Sequence, residues 1–134
     1  MARRSATREV LAPRSDVWAF LAEPYHLADW WPGIVGVEPD RRGFAVDARW
    51  KVRVRKHNIF TGRLERETLL LVRAVEPYER WAWHLLAGRL DVELRLRSAG
   101  ADRTLVTCTT SGRGRLPERA LQRLYDLVQT AASV

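Results

Sequence analysis

The sequence predicts an α+β domain in which one long curved antiparallel sheet wraps about a C-terminal helix, with two short helices after the first strand. Three observations lead there. From Val46 to Thr110 apolar and polar residues mostly alternate with period two, the mark of half-buried antiparallel strands. From Pro117 to Ala132 the apolar spacing changes to three and four, the mark of an amphipathic helix. Before both lies Glu23 to Ile34, EPYHLADWWPGI, rich in aromatics and interrupted by Pro24 and Pro32.

Ser5 to Leu11 reads as the first strand, with Ala6, Arg8 and Val10 on one side and Thr7, Glu9 and Leu11 on the other. Ala12 and Pro13 end it. Ser15 is expected to cap a short helix, with Asp16 in its first turn and Val17, Trp18, Phe20 and Leu21 as its apolar face. Pro24 closes that helix, and Tyr25 to Trp30 forms a second whose buried side is Tyr25, Leu27 and Ala28. Trp30 and Trp31 are adjacent and cannot both enter one small core from a single face. One of them is therefore expected on the rim of a cavity for an apolar ligand.

Ile34 to Val37 is a short strand, and Pro39 to Gly43 is turn chemistry. Val46, Ala48, Trp50, Val52 and Val54 then alternate with Asp47, Arg49, Lys51, Arg53 and Arg55. His57 to Gly62 is a loop carrying Ile59 and Phe60. Leu64 to Val75 is a long strand with Leu64, Arg66, Thr68, Leu70, Val72 and Ala74 inward. Arg80 to Leu86 places Trp81, Trp83 and Leu85 on one face and Ala82, His84 and Leu86 on the other. Ala87-Gly88 is a tight hairpin. Leu90, Val92, Leu94 and Leu96 face inward from the next strand, and Thr104 to Thr110 is the last. Gly112 to Arg115 is a break before the helix, which Pro117 suits as first residue. Leu121, Leu124, Tyr125, Val128 and Ala132 form its buried stripe, over about 24 Å at 1.5 Å per residue.

The 134 residues suit a single domain, 1–134, with 46% hydrophobic residues for one core. No apolar run reaches transmembrane length, and the first residues lack a secretory pattern, so a cytoplasmic location is expected. Cys108 is the lone cysteine, which excludes an internal disulfide and reads as a small buried residue. Net charge is +7, nearly all of it arginine. The cations alternate along strands, as a solvated sheet face does, so DNA is not an expected partner. A dimer through Leu69 and Leu71 is an open alternative.

Leu11-Ala12-Pro13 after the early strand, Val17-Trp18-Ala19-Phe20-Leu21-Ala22, Leu27-Ala28-Asp29-Trp30-Trp31-Pro32-Gly33-Ile34 and Val72-Arg73-Ala74-Val75-Glu76-Pro77 carry a resemblance over almost the whole chain. The chain resembles the START-like, or SRPBCC, superfamily, and more narrowly its bacterial polyketide cyclase/dehydrase and lipid-transport proteins. The resemblance implies a helix-grip fold with a hydrophobic cavity, here with a short terminal helix that leaves the cavity more open. It carries no fixed catalytic set. Some relatives act instead on protein or ribosomal partners, a role the basic sheet face would suit.

The candidate ligand-binding residues are Trp31, Trp50, Phe60, Arg66, Trp81, Trp83, His84 and Tyr125. The aromatics come from segments around the expected cavity, where large rings suit a flat or hydrophobic guest. Arg66 points inward by alternation and would pair with a ligand carboxylate, unless a register slip turns it outward. His84 could act as acid or base only if its face, not that of Trp81 and Trp83, is concave. His26, His57 and His84 are not ligand-spaced, so no metal is expected, and no cofactor fingerprint is present. The expected function is binding of a small aromatic, polyketide-like or lipid molecule. Cyclase or dehydratase chemistry would need an acid–base pair that the sequence does not assemble.

Overall fold

The computed structural model describes residues 3–58, 60, 62–112 and 117–132. Ile59 and residues 113–115 lie outside the described residues, as do the side chains of His57 and Ala132. The strands are β1 (Arg3–Val10), β2 (Ile34–Glu38), β3 (Arg49–Asn58), β4 (Gly62–Glu76), β5 (Arg80–Leu85), β6 (Leu90–Gly100) and β7 (Arg103–Ser111), and the helices are α1 (Arg14–Leu21), α2 (Leu27–Trp30) and α3 (Pro117–Ala132). All seven strands form one antiparallel sheet in the order β1-β7-β6-β5-β4-β3-β2. Consecutive strands from β2 to β7 are hairpin neighbours. By contrast β1 and β2, adjacent in the chain, occupy opposite edges, and the segment carrying α1 and α2 bridges the open side between them.

The alternating residues sort onto two faces as period two requires. Trp50, Val52, Leu70, Val72, Trp81, Trp83, Leu85, Leu90, Val92, Leu94, Leu96, Val106 and Cys108 are buried on the concave face. α3 lies across β1 and β7 and touches α1 and α2, and Ala120, Leu121, Leu124 and Val128 fill its core-facing stripe. Its bounds are those the apolar spacing implied. Two bonds fasten the end of β1 inside this arrangement. Leu11 N–H donates to Gln129 Oε1 of α3 at 2.9 Å, and the buried Thr104 hydroxyl donates to Ala12 O at 2.8 Å.

Several local expectations are corrected. Ser15 lies inside α1; Pro13 is the N-cap residue, and its carbonyl accepts from the amides of Asp16 and Val17 at 3.0 and 3.1 Å. Tyr25 is 61% exposed, because residues 24–26 form a 3-10 turn rather than the start of α2. Val46 is exposed, because β3 begins only at Arg49 and Asp47 sits at φ 71° in the loop before it. A bulge between Val72 and Ala74 reverses the alternation. Past it Val75 packs on the core opposite Trp81, and Ala74 turns out opposite Ala82.

Candidate functional site: an indole-rich interior

The concave face of β3, β4 and β5 meets the segment between α2 and β2 in a cluster of tryptophans. Trp30, Trp31, Trp50, Trp81 and Trp83 are each 0–1% exposed. The expectation that Trp30 and Trp31 could not share one core is overturned. Trp30 ends α2, whereas Trp31 is extended (φ −88°, ψ 117°), so the chain turns between them and re-aims the second ring. The two rings meet edge to face at 5.6 Å. Trp31 continues onto Trp83 at 5.0 Å, and Trp30 onto Trp81 at 6.5 Å. Trp81 lies 5.9 Å from Trp50 and 6.1 Å from Trp83.

One end of this cluster is covered by Phe44, from the loop between β2 and β3. Its ring lies 4.8 Å from Trp81, 6.3 Å from Trp50 and 5.6 Å from Trp18 of α1. Trp18 in turn leans toward Tyr78 at 6.2 Å, and Tyr78 is 48% exposed. Asp40 ties the loop down. Its carboxylate accepts from the amides of Arg42 at 3.0 Å and Arg49 at 2.9 Å. The Arg49 amide bond does most to hold the Asp40 carboxyl below its usual value; burial, next in size, opposes it, and the Arg42 and Gly43 amides and the Arg42 charge add to the lowering. Inside the loop, Gly43 O accepts the indole N–H of Trp50 at 2.7 Å.

Three other indoles are not satisfied in this way. Among the described residues, the buried N–H groups of Trp30, Trp81 and Trp83 have no hydrogen-bond partner. A buried donor left unpaired costs about 1–3 kcal/mol, so three in one cluster call for an explanation. Nearby polarity is sparse. The buried polar side chains among the described residues are Thr104 and Thr110, together with the thiol of Cys108, which burial and then the Glu118 charge push up to about 12. That thiol stays protonated at neutral pH and is no nucleophile.

The remaining candidates lie elsewhere. His84, paired with Leu71 and Asp91, is on the convex face, turned away from its neighbour Trp83, with its Nδ1 2.8 Å from Asp91 Oδ1. It does not line the interior. Tyr125 is half-buried on α3, with the Arg8 guanidinium 4.2 Å above its ring. Arg66 pairs with Val54, so it shares the concave side with Val52 and Leu70, yet it is exposed, beyond the point where the core ends. Phe60 is 89% exposed at the β3–β4 turn. Among the described residues no three of His, Cys, Asp and Glu converge in a way that could hold a metal, and no helix is long and apolar enough to cross a membrane.

Sequence reasoning passed over three side chains. Phe44 lies between the expected turn, Pro39 to Gly43, and the strand from Val46, and nothing in a loop's composition says where its one ring will land. Helical spacing assigns Trp18 to the apolar face of its helix and gives no sign of its contact with Phe44. Arg8 carried a signal, since it alternates with Ala6 and Val10, and it does face inward toward α3, with a buried Nε that has no partner among the described residues.

No family model and no curated protein sequence matches the chain. Solved structures do. A START superfamily protein from Mycobacterium smegmatis superposes with a TM-score of 0.72 at 15% identity, covering 96% of this chain and 98% of that one. The fold is START-like. The Zhui aromatase/cyclase from Streptomyces sp. R1128 shares it, with a TM-score of 0.63 at 20% identity over 98% of this chain and 87% of that one. So does a Thalictrum norcoclaurine synthase variant, with a TM-score of 0.69 at 15% identity over 98% and 96%. In this START-like domain the concave face of β3 to β5 is covered by indole rings, Phe44 and the short-helix segment, while α3 covers β1 and β7.

Proposed function

We propose that this START-like domain binds a small, flat, hydrophobic molecule bearing hydrogen-bond acceptors, such as a polyketide-like aromatic. The observation that carries the reading is the set of three orphaned indole donors of Trp30, Trp81 and Trp83 within one cluster of rings. A guest with carbonyl or phenolic oxygens supplies the acceptors that the protein lacks, and its rings replace ring–ring contacts already made there. Trp31 and Trp50 complete the walls. Entry is by way of Phe44, which caps the cluster and must swing aside, since the tryptophans themselves meet no solvent.

The reading is one of binding. The buried residues around the cluster offer hydroxyls and a neutral thiol rather than an acid and a base, so cyclase or dehydratase chemistry gains no residue here. The alternative, a protein or RNA partner on the basic sheet face, is weakened by that face's own pairing. Arg80 meets Glu76 and Glu93, each at 2.9 Å, and Arg95 meets Glu93 at 2.7 Å.

The test compares a hydroxylated anthraquinone with anthracene, read by quenching of tryptophan fluorescence. The quinone is expected to bind at least about tenfold tighter, the worth of one or two hydrogen bonds, and both affinities should be indifferent to salt. Equal affinities would remove the donor role, and no binding of either would end the proposal. Native mass spectrometry of freshly purified protein, followed by organic extraction, would name a resident guest.

A further inference from the structure

The β3–β4 hairpin outruns the sheet. Pairing of β2 with β3 reaches Val54, and the amide of Arg55 adds one bond to Gly33 O. Pairing of β5 with β4 begins only at Leu70. Beyond these limits Lys56 to Asn58 pair only with Gly62 to Leu64 among the described residues. The end of the hairpin is thus a two-stranded ribbon extending about 15 Å beyond the sheet. Isolated ribbons are marginal in water, so one of this length invites a reason.

Its composition is uneven. Phe60 at the end is 89% exposed, and Leu64 behind it is 44% exposed. Residues 53–67 contain Arg53, Arg55, Lys56, Arg63 and Arg66 against Glu65 and Glu67. Arg53 takes up Glu65 at 3.1 Å. Leu64 and Arg66 share the other side with Val54, and no carboxylate lies on that side among the described residues. An exposed aromatic tip behind which cations outnumber anions matches the layering of an anionic bilayer surface, where phosphates lie outside an apolar boundary.

We propose that the β3–β4 ribbon docks the protein on anionic lipid bilayers, with Phe60 entering the headgroup boundary and the arginines behind it meeting lipid phosphates. The surface is distinct from the tryptophan cluster, and the proposal stands whether or not a guest binds there. An RNA strand would use the ring for stacking and the cations for phosphates, but the exposed Leu64 behind Phe60 adds aliphatic surface that favours a bilayer.

Co-sedimentation of the full chain with vesicles tests this. The parent should bind mixed phosphatidylcholine–phosphatidylglycerol vesicles, ignore phosphatidylcholine alone, and release as salt is raised. Phe60→Ser should weaken binding at least about tenfold, from the lost burial of one aromatic ring, with an unchanged thermal transition. Arg66→Glu should weaken it at least about fivefold. As a second reading, Phe60→Cys can be labelled with an environment-sensitive dye on the folded protein, because Cys108 is buried. Its emission should shift to the blue on anionic vesicles only. Parent that ignores anionic vesicles, Phe60→Ser that binds as the parent does, or a dye that reports no change on binding would each overturn the proposal. So would binding of RNA that Phe60→Ser leaves intact while vesicles go unbound.

Discussion

Trp50 and Trp83 occupy equally buried positions two strands apart, yet only one has its indole N–H bonded, to Gly43 O at 2.7 Å. Substitution by phenylalanine separates the two cases. Trp50→Phe removes a made bond and orphans a carbonyl, whereas Trp83→Phe removes a donor that had no partner. Both lose ring volume. Trp50→Phe is therefore expected to cost at least about 1 kcal/mol more than Trp83→Phe in urea unfolding, and equal losses would show that the Trp83 donor is already satisfied. In the guest-binding titration Trp83→Phe should narrow the preference for the quinone over anthracene. The sequence made Trp81 and Trp83 visible as one face of a strand. It left open whether that face or the one with His84 was concave, because alternation fixes which residues go together but not which way the sheet bends. The pairing of His84 with Asp91 on the convex side settles that face, and what decides it is the hydrophobicity of the two indoles.

Among the elements, the loop from Glu38 to Arg49 matters most to access, since it carries Phe44 over the cluster. Its anchor titrates. The Asp40 carboxyl is held below its ordinary 3.8, so the ionised form contributes stability that is present above that value and lost as pH falls through the lowered one. Protection of the Arg42 and Arg49 amides, measured against their intrinsic exchange rates, is therefore expected to weaken in acid. Asp40→Ala should speed exchange of both at neutral pH, at a cost of about 1 kcal/mol. Exchange at these two amides that is unaffected by the substitution would mean that the loop is held by other means. Strand and helix identities were legible because their apolar periods differ, and α3 was legible to the residue. The misplacements occurred where period was broken. The bulge after Val72 moved Val75 inward, and the extended backbone at Trp31 let two adjacent indoles enter one core. Both are decided by tertiary fit, which a pattern of two or three and a half residues does not encode.

For the whole molecule, the sheet order has a kinetic expression. Each of β2 to β7 finds its partner a hairpin away, but the bond between Ser5 and Thr109 joins residues 104 apart. Contacts so distant are closed late, because chain entropy is lost before they repay it. Val10, buried at the end of β1, is thus expected to contribute to unfolding and not to folding. Val10→Ala should speed unfolding in stopped-flow denaturant jumps and leave the folding rate nearly unchanged. A slowed folding rate would place β1 in the nucleus instead. On the ribosome the same topology sets a waiting time. Of these seven strands the first to leave the exit tunnel is the last to be paired, because the edge of β7 does not yet exist to receive it while β2 to β6 are made. A nascent chain of this kind holds an open strand in the cell for as long as a hundred residues take to be made. The arginines at its start, Arg3 and Arg4, keep that strand from finding a neighbour of its own kind in the meantime.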